Sequence, residues 1–132
     1  SGVVYASREA LFATSDIVTV HLVLSDRTRG LVGATEFQMM KPTAYLVNTS
    51  RGPIVQESAL VSALQGGSIA GAGLDVFDTE PLPQNHPLRC LDNAVLTGHT
   101  GYVMRENYTT GYRGAVEAIS AWLNGKPVRL LN

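Results

Sequence analysis

The sequence is poor in several things, and each shortage narrows what the chain can be. Its 132 residues contain one cysteine, Cys90, so no disulfide framework and no cysteine-based zinc set can be built. A reducing, cytoplasmic setting is therefore the expectation. Net charge is only −1, from 10 basic and 11 acidic residues, and the basic ones are scattered, without the positive face that nucleic acid requires. Long apolar runs are also missing. The longest uncharged stretch, Ser58 to Leu74, is broken by glycines and serines and is too polar to span a bilayer. The N-terminal Ser-Gly-Val-Val-Tyr lacks the basic and apolar regions of a signal peptide. Neither membrane nor nucleic acid is an expected partner.

What is present is an alternation of strand-like and helix-like segments, the pattern of βα units around a parallel sheet. Apolar runs predict strands at Gly2–Ala6, Asp16–Leu24, Ala44–Asn48, Ile69–Phe77 and Ala94–Thr97, the longer ones continuous enough to be covered on both faces. Helices are predicted at Arg8–Ala13, Ala34–Met40 and Glu57–Gln65, the last ended by Gly66-Gly67. Tyr112, Ala115, Val116, Ile119, Trp122 and Leu123 recur at helical spacing and predict a final helix, stopped by Asn124-Gly125 and Pro127. Its aromatic residues read as core or interface. A loop with Pro81, Pro83 and Pro87 separates the last two strands, and His86 within it reads as exposed.

In an open parallel sheet all strand exits share one edge, where ligands bind. Arg51 follows one strand, Glu80 the next and His99 the last, while Asp75 closes the third long strand. Together these are the parts needed to oxidise a 2-hydroxy acid. A guanidinium offers a planar fork to the substrate carboxylate. An imidazole exchanges the hydroxyl proton near neutral pH, and a carboxylate on its far nitrogen fixes the tautomer and stabilises the imidazolium. Electron transfer would fall to a nicotinamide, because no side chain supplies it. Other chemistries lack their motifs. Gly71-Ala72-Gly73 is followed by Val76 where a dinucleotide fingerprint needs glycine, and it lies within a strand; close helix packing is the expected reason for its small residues. His21, His86 and His99 lack metal-ligand spacing.

These residues sit in motifs that resemble a known family. Ser15-Asp16-Ile17-Val18-Thr19-Val20-His21-Leu22, Met40-Lys41-Pro42, Val47-Asn48-Thr49-Ser50-Arg51-Gly52-Pro53, Ala70-Gly71-Ala72-Gly73-Leu74-Asp75-Val76-Phe77 with Glu80-Pro81, and His99 with Gly101 look like the D-isomer-specific 2-hydroxyacid dehydrogenases. The resemblance implies substrate binding by Arg51, acid/base catalysis by His99 and pairing of Glu80 with it. It further implies NAD as cofactor, with NADP open, and Asp75 on the nicotinamide carboxamide. Leu22, Val23, Thr28, Thr49, Ser50, Arg51 and Gly101 would line the cofactor pocket. Two positions depart from the pattern: Val23 and Gly98 stand where the family usually has proline. Glycine at 98 would loosen the backbone that carries His99.

The glycine-rich turn and the ribose-reading acid of a complete cofactor site are not in this sequence. The expected fold is thus a partial Rossmann-type, doubly wound α/β sheet lacking its first two strands, which would lie between Gly2–Ala6 and Asp16–Leu24. Residues 1–124 read as the C-terminal portion of a cofactor domain and 125–132 as a tail returning toward a substrate domain. Three function classes follow: the catalytic-residue half of a dehydrogenase acting on a small 2-hydroxy or 2-keto acid, an inactive truncated remnant, or a module that forms a homodimer through the final helix and the open sheet edge.

Overall fold

The computed structural model describes residues 2–130. It divides into two compact units, the first ending at His99 and the second beginning at Thr100. In the first unit the order is α1 (Arg8–Thr14), β1 (Ile17–Val20), α2 (Ala34–Met39), β2 (Tyr45–Asn48), α3 (Glu57–Gln65), β3 (Gly71–Leu74) and β4 (Ala94–Leu96). Short 3-10 turns occupy Gly52–Ile54 and Pro87–Cys90. The second unit is built on α4 (Arg105–Leu123).

The four strands form one parallel sheet in the order β1-β2-β3-β4. Register matters most for function. Val20 pairs with Asn48, Asn48 with Leu74 and Leu74 with Leu96, so all four strands end on one line. Whatever follows each strand leaves from the same edge.

The α/β class and the parallel sheet are as expected, with three corrections. Gly2–Ala6 forms no strand, and Val3, Val4 and Tyr5 stand exposed. The sheet consequently has no gap in its middle: β1 is its edge. Its strands are also covered on one face only. Val18, Val20, Leu46, Ala72 and Leu74 join Phe12 of α1, Phe37 of α2 and Leu60 and Leu64 of α3 in the core, while Ile17, Tyr45 and Val95 are exposed. Four of the five apolar runs contain a strand, each strand shorter than its run, and none could report which face the helices cover.

Local chemistry secures the helices. Ser7 caps α1 by accepting the Ala10 N–H at 3.1 Å. Arg8 ties α1 to α2 through Glu36 and the Leu31 carbonyl, both at 2.6 Å, and Glu36, itself buried, accepts the Gly33 N–H at 2.8 Å. In the second unit α4 ends at Asn124, with Gly125 left-handed at φ 70°. Tyr108, Tyr112, Val116, Ile119, Trp122 and Leu123 are all exposed on it. No described helix is long and apolar enough to cross a membrane.

Candidate active site

Asn48 closes β2 and is almost fully buried. Its amide nitrogen donates to the Arg51 carbonyl at 3.0 Å, and its side-chain oxygen accepts the Ser50 N–H at 3.0 Å. Those two bonds curl the chain into the turn that presents Arg51. The turn then meets the next strand exit at Gly52: a Cβ there would lie 2.1 Å from the Phe77 carbonyl carbon. Only glycine lets the backbone of the Arg51 turn rest on the Phe77-Asp78 backbone that leads to Glu80.

Glu80 is held from two sides. Its Oε1 accepts the Phe77 N–H at 2.9 Å, and its Oε2 lies 2.7 Å from Nδ1 of His99. The His99 hydrogen bond, reinforced by the Phe77 amide and by the charges of His99 and Arg51, holds the Glu80 carboxyl below the usual glutamate range. His99 follows β4 in a left-handed backbone conformation, φ 57°, uncommon for a residue with a Cβ. Between β4 and His99, the Thr97 hydroxyl donates to Oδ1 of buried Asp75 at 2.5 Å. A cleft of about 500 Å³ opens beside the pair, lined among others by Phe77, Leu82, Leu96, Thr97 and His99.

A second groove, of about 350 Å³, runs along the exits of β1 and β2. Leu22, Val23, Thr49, Ser50 and Arg51 line it together with His21 and Leu24. Ser50 crosses it, its hydroxyl donating to the Leu22 carbonyl at 2.5 Å. Thr28 does not line the groove but shapes it, donating to the Val23 carbonyl at 2.7 Å and accepting the Ser25 N–H at 2.8 Å.

Of the residues singled out from the sequence, then, Glu80 and His99 are in direct contact, with Arg51 near enough to act on Glu80 by its charge. Leu22, Val23, Thr49, Ser50 and Arg51 share one groove, and Asp75 lies buried at the same edge. Gly101 belongs to the second unit. Gly71 is small for another reason than the one expected: a Cβ there would meet the Asn93 carbonyl at 2.7 Å and the Tyr45 ring at 3.1 Å, not a helix. His86 is half-buried rather than exposed, with Nε2 on Glu57 at 2.9 Å.

The contacts of Asn48, Gly52 and Thr97 are not predicted by their place in the motifs and strands. An amide ending an otherwise apolar strand, and a glycine between arginine and proline, were the available signals. Among the described residues no group of histidine, cysteine or carboxylate side chains could hold a metal ion.

Comparison with known proteins identifies the family and the fold. Residues 1–101 match the model for D-isomer specific 2-hydroxyacid dehydrogenase, NAD binding domain. A glyoxylate reductase from Aeropyrum pernix is 48% identical over 99% of the chain and 39% of its own length. A glyoxylate/hydroxypyruvate reductase B from Cronobacter sakazakii is 42% identical over 92% of the chain and 37% of its own length. The chain thus spans about two fifths of these relatives. Among solved structures, a D-isomer specific 2-hydroxyacid dehydrogenase from Xanthobacter autotrophicus Py2, in complex with NADPH and MES, superimposes with TM-score 0.75 at 39% identity, covering 93% of this chain and 50% of that one. The D-lactate dehydrogenase with NAD+ from Lactobacillus jensenii gives 0.83 at 26%, covering 97% and 42%. With four strand exits aligned on one edge and this match over most of its length, the chain belongs to the D-isomer-specific 2-hydroxyacid dehydrogenases and carries part of their NAD-binding domain.

Proposed function

We propose that this chain supplies the acid/base and anion-binding residues of an NAD-dependent oxidoreductase that interconverts a small D-2-hydroxy acid and its 2-keto acid. The contact that carries the proposal is His99 Nδ1 to Glu80 Oε2 at 2.7 Å beside an open cleft. With Nδ1 engaged by the carboxylate, proton exchange with the substrate falls to Nε2. In oxidation His99 takes the hydroxyl proton, and Glu80, held ionised, stabilises the imidazolium; in reduction the imidazolium returns it. Arg51 clamps the substrate carboxylate, its backbone fixed by Asn48 and its Nη1 resting on the Ser50 carbonyl at 2.6 Å.

The groove of Leu22, Val23, Thr49, Ser50 and Arg51 fits the nicotinamide end of a dinucleotide, being part apolar and part hydroxyl-lined. Asp75 would hold the carboxamide, while Thr28 shapes the loop beside the groove. When bound, the dinucleotide supplies the two-electron exchange that no side chain provides; NAD is the cofactor of the matched domain and NADP stays open. The phosphate cradle and the substrate domain would come from the rest of a longer polypeptide, in which residues 1–124 belong to the cofactor domain and 125–132 lead back toward the substrate domain. Glyoxylate-sized keto acids are the first substrates to try, given the names of the relatives. A homodimer using the exposed stripe of α4, in a reducing cytoplasm suited to the single exposed Cys90, completes the reading.

The test is Arg51→Lys in the full-length polypeptide, assayed by NADH oxidation with glyoxylate. Lysine keeps the charge but loses the planar fork, and loss of a charge-assisted bidentate contact of ~1.5–3 kcal/mol lowers kcat/KM about 10- to 100-fold, mainly through KM for the acid. An unchanged KM would remove Arg51 from the substrate.

A further inference from the structure

We infer that Glu57, on the first turn of α3, is the positioning residue that holds the Glu80-bearing strap against the sheet edge, and that His86 is its partner in this. The inference rests on the assignment of Glu80 and His99 as the working pair. Glu57 lies 23 residues before Glu80 and outside both grooves, yet its carboxylate reaches both ends of the strap. Oε1 meets His86 Nε2 at 2.9 Å, and Oε2 accepts the Asp78 N–H at a long 3.5 Å. The residues between those two points, 79–85, include Glu80.

The imidazole of His86 is oriented for this. Its Nδ1 accepts the Leu88 N–H at 3.3 Å, so in the neutral ring Nε2 carries the hydrogen and donates to Glu57. Leu88, two residues on, is fully buried and pins this end of the strap to the core. Arg89 ties the middle, donating to the Leu82 and Pro83 carbonyls at 2.7 and 2.9 Å. Asp78 shares the cluster: burial of its carboxyl, then repulsion from Glu57, pushes it above the usual aspartate range, while Arg29 and His86 oppose this. The strap's own internal bond, Phe77 N–H to Glu80, starts one residue before the Asp78 amide that Glu57 holds. Moving that peptide moves the carboxylate facing His99.

The experiment is NMR of the full-length polypeptide with Glu57→Ala, Glu57→Gln, His86→Asn and, as a control on the exposed face of α1, Glu9→Gln. Glutamine keeps one acceptor and loses the second, so the effects should grade from Gln to Ala. Expected in Glu57→Ala are loss of the His99 Nδ1–H signal shared with Glu80, a rise of the Glu80 carboxyl midpoint toward its ordinary value, and amide shifts that reach, beyond the first turns of α3, residues 77–90 and 99. Glu9→Gln should leave all three readouts unmoved. If Glu57→Ala does not fold, His86→Asn cuts only the Oε1 link and should show the same changes in weaker form. Unchanged Glu80 and His99 signals in a folded Glu57 or His86 variant would overturn the inference. In the full-length polypeptide Glu57→Ala should lower kcat about tenfold, as small displacements of reacting groups do, with KM for NADH unmoved. Absence of dehydrogenase activity from the unmodified protein would count against the proposed function and leave the NMR result standing.

Discussion

His99, the proposed acid/base, stands in a conformation that few side-chain-bearing residues adopt, φ 57°. Glycine at 98 predicts a loosened backbone; the structure instead puts the unusual conformation one residue later, on the imidazole's own backbone, where strained positions often serve function. Space around Gly98 is open; the contact with Glu80 is what fixes the ring. That contact has a pH signature. The Glu80 carboxyl is held below its ordinary value, so its stabilising contribution is complete above about pH 5 and is lost as pH falls through the folded-state value, below about 4.3. Glu80→Gln removes this contribution. Urea unfolding should therefore find the variant less stable than the unmodified chain at pH 6, with the gap narrowing toward pH 3. A gap that stays constant across that range would mean the pair does not form.

The turn between β2 and α3 does more for the site than either element beside it. Asn48 bends it, Gly52 lets it touch the Phe77-Asp78 backbone, and Pro53 and Ile54 lock it to the preceding loop through Gly30 and Val32, at 2.8 and 3.1 Å. Arg51, proposed to bind substrate, and the strap that carries Glu80, proposed to orient the acid/base, thus meet at one junction. Gly52→Ala forces a methyl into backbone atoms about 2 Å away, where no side chain can move aside. Overpacking of this kind costs ~1–3 kcal/mol, and at least that is expected here. Thermal unfolding of the chain should show a fall in Tm of about 5 °C or more. A Tm within 1–2 °C of the unmodified value would show that the junction yields.

Across the whole molecule, the readable part was what depends on residue type and local pattern. α3 runs from Glu57 to Gln65 as its spacing and terminal glycines foretold, and the strand exits delivered Arg51, Glu80 and His99 to one edge because parallel topology leaves no other place. Gly2–Ala6 misled for a complementary reason: its composition suits a strand, but a strand needs a neighbour, and that is a tertiary fact. The same limit hid Gly52, Asn48 and Glu57. Each acts through a contact with a segment more than twenty residues away or through a bend no periodicity encodes. NADH-dependent reduction of glyoxylate by the full-length polypeptide should fall ~10²–10⁴-fold in kcat on His99→Ala, the usual contribution of a positioned acid/base, while NADH binding is retained. Turnover within a few-fold of the unmodified enzyme would contradict the assignment of His99 as acid/base.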